Sequence, residues 1–234
     1  MNLFQTLTEL FPMKQGAGGL RVLLVVFPTM PQASHNKQTA PAVRSNSRAD
    51  NRRRKIFKSL HDCIIKKGYV KTTLADVAEG ADMSASHLLY YFKGKEAILE
   101  QYFENVSIRF LEKMETFSSE PPAQQISLLA DFWFRGETST KREIGFMLEC
   151  FGAAVNDDVL KVTKASFDTR CKIYLEAIFC DAPEQFLATP RDAAEVAYSI
   201  MIGLRSAVYF DDDIDLEDAH RLYLEAITRM CGLG

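Results

Sequence analysis

The chain has 234 residues, 47% hydrophobic and 25% charged, with a net charge of −3; this is enough apolar material for a sizeable core and argues against disorder throughout. Five cysteines, an odd number without a CxxC pair, favour a reducing compartment over a disulfide framework, and the four scattered histidines offer no clustered metal spacing. With no HExxH, GxSxG, P-loop or GxGxxG, the sequence gives no ground for an enzyme, a catalytic residue or a cofactor.

The small net charge conceals a segregation. Residues 44–95 carry 12 Lys+Arg against 5 Asp+Glu, and residues 96–234 carry 13 against 25. A basic segment on an acidic body is the footprint of a nucleic-acid-binding head on a regulatory body.

In chain order, residues 1–47 read as a disordered N-terminal extension, rich in Gly, Pro and polar residues, with Met13 and Met30 as alternative starts. Its apolar run Leu20–Phe27 is far too short to span a bilayer. From about Asp50 to Lys67 a helix is expected: Ile56, Leu60 and Ile64 recur at i+4, the arginines at 52–54 take the remaining surface, and Gly68 stops it. In the next stretch Leu74, Val77, Ala78 and Ala81 mark one buried face, and Thr73 with Asp76 forms a capping-box start. The chain breaks at 80–83, and Ser84 is placed to cap a second short helix with Leu88 and Phe92 one turn apart. Two helices this short cannot bury their faces alone, so the pair reads as a helix-turn-helix.

A long helix is expected from about Gly94 to Phe117, then helices at about 122–135, 138–155, 157–180, 190–210 and 215–232, with no sustained period-2 alternation. The expected fold is all-α: a three-helix DNA-binding head (48–95) followed by an all-helical body (96–234).

If the second short helix is a recognition helix, Ser84, Ala85, Ser86 and His87 occupy the turn that enters the major groove. Ser86 and His87 can hydrogen-bond base edges and Ala85 can touch a thymine methyl. Tyr90 and Tyr91 offer hydroxyls to phosphates, the helix starts at Thr72–Thr73 and Gly94–Lys95 offer N–H groups, and Lys95 adds charge.

These features, with Gly68-Tyr69, Thr72-Thr73-Leu74, Asp76-Val77-Ala78, Ala81-Asp82-Met83-Ser84, Leu88, Tyr91-Phe92 and Lys95-Glu96 in order, resemble the DNA-binding region of the TetR family of transcriptional regulators. The resemblance covers about Arg54 to Leu99. Thr72 or Thr73, Tyr91 and Lys95 match positions where the family holds phosphates. Two departures stand out. Asp82 replaces the usual turn Gly, and Asp tolerates the left-handed backbone required there. Leu89 replaces a DNA-touching Tyr, which shifts the expected phosphate contacts to Tyr90, Tyr91 and Lys95.

The resemblance implies a cytoplasmic repressor that binds a palindromic double-stranded operator as a homodimer and is released by a small-molecule effector of unknown identity. It implies an effector pocket among the middle helices, with Trp133, Phe146, Phe167 and Tyr174 as walls and Glu149 and Arg170 as polar anchors. It implies a four-helix dimer interface from the last two helices, using Ala197, Met201, Gly203, Leu204, Leu222, Tyr223 and Ala226. The competing reading is an all-α ligand-binding or scaffold protein without DNA binding, for which aromatics at helical spacing are simply core.

Overall fold

Ile56, Leu60 and Ile64 are all buried and make helix α1 (Ala42–Lys67) the post around which the N-terminal helices pack. The computed structural model describes residues 42–136, 139–183 and 187–233. Among them are nine helices and no strand, so the fold is all-α. The expectation of a disordered extension lies outside the described residues up to position 41. From Ala42 to Asn51 the chain is already helical, eight residues earlier than the expected start. That part of α1 has no apolar stripe, so its periodicity cannot announce a helix.

Helices α2 (Leu74–Gly80) and α3 (Ala85–Tyr91) form the helix-turn-helix. The capping box is present: Thr73 Oγ1 accepts from the Asp76 N–H, and Asp76 Oδ2 accepts from the Thr73 N–H at 2.7 Å. Lys67 pairs with the same carboxylate, and that bond, with those from Thr73, holds Asp76 well below the usual carboxylate range. Ser84 Oγ accepts from the His87 N–H at 3.2 Å. Between the two helices Asp82 sits at φ 56°, in the left-handed region that its short polar side chain tolerates. Gly80 meets α1 so closely that an added Cβ would lie 2.3 Å from Ser59 Oγ.

Helix α4 (Lys95–Glu115) leads from the head into the body: α5 (Pro122–Phe134), α6 (Lys141–Val155), α7 (Asp158–Cys180), α8 (Pro190–Phe210) and α9 (Leu216–Met230). Helix α8 packs on α7, and α9 packs on α5 and α8. Helix α6 contacts α1 on one side and α7 and α8 on the other. Two buried clusters result. The body cluster is built on residues such as Trp133, Phe134, Leu175 and Tyr223. The head cluster joins α1–α4 to Phe146, Cys150 and Ala154 of α6 and Leu160 of α7.

Candidate nucleic-acid interface and internal cavity

Ser84, Ala85, Ser86 and His87 are all exposed at the N-terminal end of α3 and Tyr90 near its C-terminal end, while Leu88 between them is fully buried. The cap at Ser84 and the left-handed turn at Asp82 place that exposed end clear of the rest of the head. Burying Leu88 contributes about 2 kcal/mol to holding the helix there. Tyr91 is half-buried, and its hydroxyl accepts from Arg52 Nη1 at 3.0 Å, with His87 Nε2 3.5 Å from the same nitrogen. Arg52 is not among the DNA contacts expected from the sequence, where its only signal is membership of the basic run at 52–55. The structure puts it beside two expected DNA contacts.

Thr73 is exposed at its cap, as a phosphate-facing residue requires. Thr72 is a correction. It is buried, its hydroxyl donates to the Gly68 carbonyl at 2.8 Å and its N–H to the Tyr69 carbonyl at 3.2 Å, so it closes the end of α1 and has neither group available for DNA. Lys95 is half-buried: its ammonium donates to the Tyr69 carbonyl at 3.0 Å and lies 4.2 Å from the centre of the Tyr69 ring. It fastens the start of α4 to the loop after α1.

The matched family signature, described as bacterial regulatory proteins, tetR family, covers residues 56–102 and therefore runs from α1 through the helix-turn-helix into α4. The helix-turn-helix head belongs to the TetR family. The chain is also 30% identical over 70 residues to a probable HTH-type transcriptional regulator, YttP, of Bacillus subtilis (strain 168). That stretch is 30% of this chain and 34% of the relative, so the match spans about a third of the length of that curated protein. Among solved structures, a TetR transcription regulator from Haloarcula marismortui superposes with a TM-score of 0.69 at 18% identity, over 77% of this chain and 98% of that one. The transcriptional regulator FadR of Bacillus subtilis, solved in complex with stearoyl-CoA, gives 0.64 at 19% identity over 74% and 96%. At these identities the likeness shows that body and TetR-type head together share one all-α fold.

Between α4, α5, α6, α7 and α8 lies a cavity of about 350 Å³. Its walls are mostly apolar. Phe103 and Phe110 stand 6.4 Å and 6.2 Å from Phe167 between ring centres, and Phe110 stands 4.9 Å from Phe132. Of the residues expected to bind an effector, Trp133, Phe146 and Phe167 line it. Glu149, Arg170 and Tyr174 do not, and each is a correction. Glu149 lies on the side of α6 that faces the head, where Oε2 accepts from the Tyr69 N–H at 2.9 Å. Arg170 is exposed on α7. Tyr174 donates its hydroxyl to Gln125 at 2.9 Å, tying α7 to α5.

The polar groups of the cavity are others. Arg205 on α8 is 5% exposed and donates from Nη1 to the Trp133 carbonyl at 2.6 Å; burial lowers its pKa to about 10, so it remains a cation at neutral pH. Glu143 on α6 accepts from His61 Nε2 of α1 at 3.0 Å. Arg109 lies on the exposed side of α4. Burial, and then the nearby Glu143 charge, raises the Tyr102 pKa; burial and a bond to Asp168 at 2.6 Å raise that of Tyr198, so both hydroxyls stay neutral. Burial pushes the Cys150 and Cys171 thiols up to about 12, leaving them protonated and inert. Arg205 was missed although an arginine one turn after Met201, in a stripe of buried residues, was a readable anomaly.

The expected dimer residues divide. Gly203 is exposed with nothing near its missing Cβ, Leu222 is exposed and Ala226 is half-exposed, whereas Leu204 is half-buried and packs against the body core. Ala197, Met201 and Tyr223 are corrections. Ala197 and Tyr223 are fully buried in the body, Tyr223 with its ring against Trp133 and Phe134, and Met201 is buried on the cavity wall.

Proposed function

We propose that this chain is a transcriptional repressor, acting in the cytoplasm without catalysis, in which residues 48–95 bind DNA and residues 96–234 bind an effector and a second copy. The observation that carries the reading is the exposed, capped N-terminal end of α3. Ala85, Ser86 and His87 stand proud of a buried Leu88, on a head with a large excess of basic residues. In this reading Ser86 and His87 meet base edges, Ala85 meets a thymine methyl, Ser84 caps the turn that enters the groove, and Thr73, Tyr90, Tyr91 and Lys95 face phosphates together with Arg52. The outer sides of α8 and α9, with Val196, Gly203 and Leu222 exposed, form the dimer face. Two-fold symmetry then sets the recognition helices roughly 34–36 Å apart on a palindromic operator.

The cavity is the effector site. A related fold holds stearoyl-CoA, which supports the use of the body as a ligand chamber. Helix α6 is the route to the head, because it lines the cavity and is tied to α1 and the following loop through Glu143–His61 and Glu149–Tyr69.

Selection of bound fragments from genomic DNA, followed by gel-shift titration, tests the reading. His87→Ala is expected to change sequence preference by about 1–3 kcal/mol between operator variants. Arg52→Gln is expected to weaken all duplexes alike and lower the log–log salt slope by about 1. Failure to bind any duplex at low salt would refute DNA binding. Sedimentation as a monomer at micromolar concentration, unaltered by Gly203→Arg, would refute the dimer.

A further inference from the structure

A second, smaller cavity of about 180 Å³ lies beside the recognition helix. Its walls are Asn51, Arg52 and Lys55 of α1, Asp82 and Met83 of the turn between α2 and α3, and His87 of α3. Lys55 follows Asn51 by four residues and Arg52 by three, so the three are neighbours on the surface of α1, and all are exposed. On the opposite rim Asp82, in the left-handed turn, has its carboxylate 3.3 Å from the Lys55 ammonium. The two side chains are 61% and 84% exposed, for Lys55 and Asp82 in turn, so the pair is weak and open to exchange for another anion.

Donors outnumber acceptors around this cavity. Lys55 carries three N–H groups and gives one to Asp82. Arg52 carries five and gives one, from Nη1, to the Tyr91 hydroxyl. A guanidinium fork and an ammonium on the two sides of one concavity match the oxygens of a phosphate. Position decides which phosphate. His87, which meets base edges in the reading above, forms one wall, and Tyr91, which faces the DNA backbone, is bonded to Arg52.

We propose that this cavity seats one phosphate of the DNA backbone between Arg52 and Lys55, and that Asp82 holds Lys55 until the phosphate arrives. The proposal rests on the reading of residues 48–95 as the DNA-binding head. Asp82 then sets the strength of the grip. The phosphate takes Lys55 from a carboxylate that stays beside it, and two anions sharing one ammonium repel each other. Binding is therefore weaker, and less dependent on salt, than Arg52 and Lys55 alone would make it.

The test measures the affinity of the full chain for a selected operator and for a random duplex between roughly 50 and 200 mM salt. Asp82→Asn suits the same left-handed turn and is expected to bind both duplexes severalfold more tightly at the lower salt. Its log–log slope should steepen by about 1, so that this advantage shrinks about threefold across the range. Adding Lys55→Gln to Asp82→Asn should return the slope to that of the parent. Glu79→Gln removes another exposed carboxylate of the head and should leave the slope unchanged, which separates the seat from the general field. Should Asp82→Asn not fold, Asp82→Gly decides on the same readings, because glycine adopts this backbone freely. An unaltered slope in Asp82→Asn, a Glu79→Gln protein as tight as Asp82→Asn, or a double variant as steep as Asp82→Asn would overturn the seat and leave the head a DNA binder. Failure of the parent to bind any duplex would overturn both.

Discussion

The close approach of Gly80 to α1 yields a sharp test of how the recognition helix is held. In Gly80→Ala the new Cβ would lie 2.3 Å from Ser59 Oγ and 3.3 Å from Ser59 Cβ. Ser59 cannot simply turn away, since it is 4% exposed and its hydroxyl donates to the Val77 carbonyl at 2.8 Å. Replacing a helical Gly by Ala favours the helix by about 1 kcal/mol. Against this stand overpacking, about 1–3 kcal/mol, and loss of the buried hydrogen bond, about 1 kcal/mol. We therefore expect Gly80→Ala to destabilise the protein by about 1–3 kcal/mol, although an alanine scan of exposed helix positions would forecast a gain. Ser59→Ala alone should cost about 1 kcal/mol. In the double variant the 2.3 Å contact no longer exists, so the two effects should fall short of their sum by about 1 kcal/mol. Urea unfolding of the four proteins measures this cycle, and operator binding should weaken in Gly80→Ala and recover in the double variant. Simple additivity, or a Gly80→Ala protein as stable as its parent, would show that α2 and α1 are not in the contact described.

Three further outcomes follow from single side chains. The Tyr223 hydroxyl is fully buried with no hydrogen-bond partner among the described residues, so Tyr223→Phe should raise stability by about 1 kcal/mol, seen as a higher melting temperature. Asp76 has a folded-state pKa below its unfolded value, so its contribution is complete above about pH 4 and drains away as pH falls towards the folded value; Asp76→Asn should flatten the loss of stability between about pH 5 and pH 2, and a parallel acid profile would contradict the capping-box assignment. Glu149→Ala removes the acceptor of the Tyr69 N–H, and amide exchange at Tyr69 should quicken about tenfold while Glu149→Gln has a smaller effect; unchanged exchange would mean that the tie does not protect this amide.

Much of the head was legible because its signals are local. The Thr73–Asp76 box and the Ser84 cap each link residues three positions apart, and the Asp82 turn is one residue whose side chain suits φ 56°. The closing role of Thr72 and the ties of Lys95 and Glu149 to Tyr69 were not legible. Lys95 reaches back to Tyr69 and Glu149 crosses 80 positions to the same residue, and no periodicity records such contacts. The proposed dimer face was half-legible for a different reason. Helix α8 is apolar nearly all round: Ala193, Ala197 and Met201 point into the body, while Val196 and Gly203 point out. A stripe tells that a face is buried, not against what, so core and outer face were pooled.

The placement of α6 then explains how a small cavity could command a distant helix-turn-helix. Phe146 and Cys150 belong to the buried cluster of the head and also line the cavity, so the two sites share side chains rather than merely neighbouring elements. Such interiors are close-packed, and a ligand that swells the cavity has to displace them. The ties at Glu143 and Glu149 are six residues apart, roughly 9 Å along the helix, and hold α6 to the head at two points. Each tie is worth about 1 kcal/mol, whereas prising Phe146 or Leu60 out of the shared cluster would cost about 2 kcal/mol or more apiece. Moving α6 with α1 attached is therefore cheaper than separating them, so in the proposed reading the head follows α6 when a ligand fills the cavity.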